Sequence, residues 1–65
     1  MNLTVNGDTF ITEVSTVADL LKELAIDPVR VAVEVNLSII KKAEYASYNL
    51  KDGDTVEMVN FVGGG

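Results

Sequence analysis

The residues best placed to do chemistry stand at the end of the chain. Gly63-Gly64-Gly65 follow directly on an apolar run, Val56-Glu57-Met58-Val59-Asn60-Phe61-Val62. A strand running straight into bare glycines leaves its carboxylate projecting from the fold. Glycine has no Cβ, so such a tail can thread a channel too narrow for other residues. The four residues from Val62 to Gly65 reach roughly 13 Å when extended, enough to place a carboxylate inside another protein's active site. An α-carboxyl ionises well below neutral pH, and a carboxylate is a poor electrophile, its charge being spread over two oxygens. It reacts only after it has been given a leaving group. The expectation is that Gly65 is the reacting residue, that Gly63 and Gly64 thread, and that other proteins perform the chemistry.

Nothing else in the chain suits a catalyst. The 65 residues contain no cysteine and no histidine. A thiol nucleophile, a Ser-His or Cys-His pair and a side chain with an ordinary pKa near 7 are therefore all excluded. Asp52-Gly53-Asp54 offers two carboxylates without further clustered ligands. That is a poor metal cage and a good turn. Ten acidic against five basic residues give a net charge of −5. This disfavours nucleic acid, whose phosphates need a basic stripe, and an anionic membrane surface. It suits a basic partner or simple solubility. No apolar stretch approaches the length of a membrane span, and Met1-Asn2-Leu3-Thr4-Val5 lacks the basic start of a signal peptide. The expected protein is soluble, cytoplasmic and monomeric when free.

The elements that must position the tail are legible from periodicity. Leu3 and Val5 alternate with Asn2 and Thr4 as a half-buried strand. Asn6-Gly7 signals a two-residue hairpin turn. It would pair Val5 with Asp8 and Leu3 with Phe10, leaving Ile11 on the other face. Thr16 is a candidate N-cap with Asp19 three residues on. Val17, Leu20, Leu21 and Leu24 then form the apolar stripe of a helix that ends before Asp27-Pro28. Val31, Val33 and Val35 share one face of a third strand; Asn36-Leu37-Ser38 is a turn and Ile39-Ile40 a short strand. Lys41 to Leu50 has no clean period and reads as a loop with one helical turn. Thr55 to Phe61 is the last strand. If Val56 and Met58 face the core, Val59 and Phe61 face away and form an apolar docking patch with Val62 beside the tail; alternatively Phe61 folds over the open end of the core. Lys41, Lys42 and Lys51 read as a solvated face.

One helix across one face of a mixed four- to five-stranded sheet is an α+β roll. With the first and last strands side by side and parallel, it is a β-grasp, with a body over 1–62 and a glycine tail over 63–65. The strand order itself does not follow from the periodicities. The pattern resembles the ubiquitin-like proteins and, more closely, the ThiS family of sulfur carriers in thiazole biosynthesis. The matching residues are Val31-Ala32-Val33-Glu34-Val35-Asn36, Asp52-Gly53-Asp54, Val56-Glu57-Met58-Val59 and Val62-Gly63-Gly64-Gly65. The likeness covers the whole chain. The chain departs from it at Ile40-Lys41-Lys42, where the family often has Val-Pro-Arg.

The resemblance implies a carried substrate rather than an enzyme, with no cofactor of its own. An adenylating enzyme would use ATP and Mg²⁺ to activate Gly65. A protein persulfide would then supply sulfur to form a thiocarboxylate, and thiazole synthase would receive it. The alternatives are a carrier for molybdopterin synthesis, a ubiquitin-like protein modifier, and a non-covalent interaction module with an incidental tail.

Overall fold

The computed structural model describes residues 1–61. Five strands form one mixed sheet: β1 (Asn2–Val5), β2 (Asp8–Ile11), β3 (Val31–Val35), β4 (Ser38–Ile40) and β5 (Thr55–Asn60). Their spatial order is β2-β1-β5-β3-β4. The first and last strands lie together and parallel, and every other pairing is antiparallel. This is the β-grasp arrangement expected, with β5 at the centre. One helix, α1 (Val17–Glu23), buries Val17, Leu20 and Leu21. They meet Leu3, Val31, Val33, Val35 and Val56 in the core.

The hairpin forms as its residues demand. Asn6 and Gly7 both take positive φ, 49° and 88°, and the register sets Val5 against Asp8 and Leu3 against Phe10. Ile11 falls opposite Asn2 and is exposed. Asn6 also does a second job. Its backbone N–H donates to Val56 O, and its side-chain Oδ1 accepts from Met58 N–H at 2.8 Å. β1 has turned away from β5 by this point, so the side chain supplies the acceptor that a longer strand would have carried.

Helix α1 is capped at both ends. Asp19 N–H donates to Thr16 Oγ1 at 3.2 Å, and Thr16 N–H donates to Asp19 Oδ2 at 3.3 Å, a reciprocal capping box. At the other end Ile26 N–H reaches Leu21 O and Ala25 N–H reaches Lys22 O, the bond pattern of a Schellman motif. Ala25 occupies the left-handed position at φ 58°, where glycine is usual. Ala25→Gly should therefore stabilise the fold by about 1 kcal/mol, since the Cβ clash of a left-handed residue disappears. The midpoint of urea unfolding reports it.

The unpatterned segment from Lys41 to Leu50 is ordered by what it gives the helix. Its one helical turn is a 3-10 helix at Lys42–Glu44. The first amides of α1 lack intrahelical partners, and Val17 and Ala18 donate to Tyr48 O and Tyr45 O. Leu50 N–H returns to Ser15 O. Tyr45 and Leu50 become core residues, and so does Thr12, whose hydroxyl meets the Glu23 carboxylate. None of these three was marked as core by the sequence pattern. Pro28–Arg30 adds a second 3-10 turn, not foreseen, held by the Asp27 side chain accepting from Val29 N–H. β5 ends at Asn60, one residue before the expected Phe61.

Candidate functional site

The candidate site is the strand that leads to the glycines and the sheet face around it. The Asp52-Gly53-Asp54 turn launches that strand. Asp52 Oδ1 accepts from Asn2 N–H at 2.6 Å, and Asp54 Oδ2 accepts from Lys51 N–H at 2.8 Å. Gly53, at φ 90°, donates to Asn2 O. Asn36 clamps the next residue: its Oδ1 accepts from Thr55 N–H, its Nδ2 donates to Asp54 Oδ1, and its own N–H donates to Thr55 O. The two aspartates hold a turn, as their spacing suggested. Among the described residues no group of acidic side chains is arranged to hold a metal ion, and no helix is long and apolar enough to cross a membrane.

From this anchored start β5 runs up the middle of the sheet. Val56 is buried and Met58 half-buried on the helix side. Val59 is 63% exposed and Phe61 54% exposed, as the alternation required for a patch beside the tail. Phe61 does not fold over the core; its amide bonds Arg30 O at 2.8 Å and its ring lies under the Lys42 ammonium. Val62, Gly63, Gly64 and Gly65 lie outside the described residues, and with them the expected boundary between body and tail.

The face opposite the helix carries a feature that the sequence pattern did not single out. The register places Glu34 of β3 directly opposite Glu57 of β5, with Ile39 of β4 on the far side of Glu34 and Ala32 opposite Val59. Like charges directly opposite one another on a sheet are unfavourable. Among the described residues the one ion pair is Arg30 with Asp27, so neither glutamate is held in a salt bridge. Exposed Ile39 and Val59 therefore frame a pair of carboxylates. Finding this pair required the β3–β5 register, which local periodicity does not contain. The face suits a partner that brings apolar surface and positive charge together.

Comparison with known proteins agrees with this geometry. The family model described as the ThiS family matches residues 3–65. A thiazole synthase from Paramagnetospirillum magneticum is 47% identical over 66 residues, covering 100% of this chain and 20% of that protein. The chain thus spans about a fifth of the length of the thiazole synthases it matches. The sulfur carrier protein ThiS of Bacillus subtilis is 42% identical over 53 residues, 82% of this chain and 80% of that one. The crystal structure of thiamine biosynthesis protein ThiS from Geobacter metallireducens superposes with a TM-score of 0.85 at 36% identity, covering 100% of both chains. With the central strand, the sheet order and the full-length match in agreement, the chain belongs to the ThiS family and shares its β-grasp fold.

Proposed function

We propose that this chain carries sulfur as a thiocarboxylate on Gly65 and delivers it to a thiazole synthase. The observation that carries the reading is the placement of exposed Val59 on the central strand and exposed Phe61 just past its end, shortly before the glycines. Binding energy is most useful there, because an aromatic anchor fixes the body while the tail reaches the reaction centre.

A Gly65 carboxylate oxygen attacks the α-phosphorus of ATP, held with Mg²⁺ by an adenylating enzyme, and pyrophosphate leaves. The terminal sulfur of a protein persulfide attacks the acyl carbon of the adenylate, and AMP leaves. A second thiol attacks the cysteine sulfur of the resulting acyl persulfide, the sulfur not bonded to the acyl carbon, forming a disulfide with that cysteine and releasing the thiocarboxylate. This chain supplies only the acyl group and the docking surface. Gly63 and Gly64 thread the channel, while Val59, Phe61 and Val62 dock. The Glu34–Glu57 pair favours a partner with a basic surface around its entrance.

The relatives named thiazole synthase, which hold a stretch similar to this chain within one longer protein, support that acceptor. The test is transfer of labelled sulfur in a mixture of chain, adenylating enzyme, ATP, persulfide donor and thiazole synthase. Label in the thiazole supports the reading. Label that stays on the chain points to another acceptor, such as molybdopterin synthesis or protein modification. Phe61→Ala should weaken binding to the adenylating enzyme roughly ten-fold, the range of an interface anchor, with the melting temperature nearly unchanged. Unaltered affinity, measured by calorimetry, contradicts the docking role.

A further inference from the structure

Phe61 is held at two points, and one of them is Lys42. The Phe61 N–H donates to Arg30 O at 2.8 Å, continuing the β3–β5 register one step past Val31 and Asn60. Its ring centroid lies 5.3 Å from Lys42 Nζ, within range of a cation–π interaction. The same ammonium donates to Val31 O at 3.2 Å, where the buried Tyr45 hydroxyl also donates at 3.2 Å.

The position of that carbonyl explains why Lys42 is there. Arg30 O faces β5, so the carbonyl of the next residue, Val31, faces the other way, toward β4. β4 ends at Ile40, opposite Val33, and does not reach Val31. The chain turns into the Lys42–Glu44 3-10 helix instead. Side chains from that turn take over the hydrogen bonding that the strand would have supplied. Once Lys42 is tied to Val31 O, its ammonium stands over the Phe61 ring. One cation thus joins the first carbonyl of β3, the turn after β4 and the residue that follows the central strand.

We propose that Lys42 is a positioning residue: it fixes Phe61, the aromatic anchor presented just past the end of β5. Its consequence for activation rests on the carrier reading above; the contact itself does not. An anchor fixed before binding loses less freedom on docking, so the effect should fall on KM rather than kcat.

Lys42→Met keeps most of the side-chain stem and removes the charge. Amide hydrogen exchange at Phe61 should quicken about three- to five-fold, the scale of an exposed cation–π contact, while exchange within α1 is unchanged. KM for this chain as substrate of its adenylating enzyme should rise by a similar factor at constant kcat. Lys42→Arg should restore both. Because Lys42 would act through the ring, the double variant Lys42→Met/Phe61→Leu should be no worse than the poorer single variant. Unchanged Phe61 exchange in Lys42→Met, or multiplying effects in the double variant, would overturn the proposal. Faster exchange with an unaltered KM would also overturn it, since the residue would then be structural only. If the wild-type chain is not activated at all, the carrier reading fails, and Phe61 exchange still decides whether the contact exists.

Discussion

Gly64→Leu is expected to lower the rate of Gly65 activation at least about a hundred-fold while leaving the melting temperature where it was. The two halves of this expectation have separate physical causes. The described core runs no further along the chain than Met58, with Leu3, the α1 stripe and the β3 valines as its body. A side chain added at Gly64 therefore removes none of its packing. In the proposed activation a carboxylate oxygen must be placed against the α-phosphorus of the nucleotide, and a displacement of about 1 Å can cost a hundred-fold in such a step. A branched side chain in a channel shaped for glycine imposes at least that displacement. Single-turnover adenylation of the purified variant, beside a thermal melt of the same sample, checks both halves. Normal adenylation would mean that the tail does not thread a narrow channel.

The second large effect lies in the fold itself. Leu20 is fully buried against the sheet. Leu20→Ala should cost about 2–5 kcal/mol through lost transfer energy and the cavity left behind. A domain of this size has roughly 3–10 kcal/mol of stability in all, so one leucine is a large share of it. The melting temperature should fall by roughly 10–30 °C. Lys22→Ala, on the exposed side of the same helix, should change stability by less than about 0.5 kcal/mol. Equal effects at the two positions in thermal or denaturant unfolding would contradict the packing described for α1.

How far this was readable from the residues depends on the range of the interactions involved. Asn6-Gly7, the Thr16–Asp19 cap and the Val31–Val35 alternation are local, and each formed as its own chemistry dictates. The outward exposure of Val59 and Phe61 is also local, following from the period of a strand. The order of strands, the Glu34–Glu57 pair and the Lys42–Phe61 contact are different. They exist because a β5 launched from Asp52-Gly53-Asp54 lies between β1 and β3 in one register. No local pattern near Lys42 announces an aromatic ring nineteen positions away, so Lys42 reads as a solvated lysine until the register is known. Tyr45 and Leu50 were hidden for a related reason. Their segment has no period of its own and is ordered by the free amides at the start of α1. Conversely, the glycines proposed to carry the chemistry were the plainest feature of the sequence, and they lie outside the described residues.

The central claim is that sulfur is carried on Gly65, and intact mass tests it most directly. The chain is incubated with ATP, Mg²⁺, its adenylating enzyme, a persulfide donor and a thiol, then weighed and fragmented. The account predicts replacement of one oxygen by one sulfur, located at Gly65 and absent when ATP is omitted. An unchanged mass, with an enzyme shown to be active on another carrier, would contradict it.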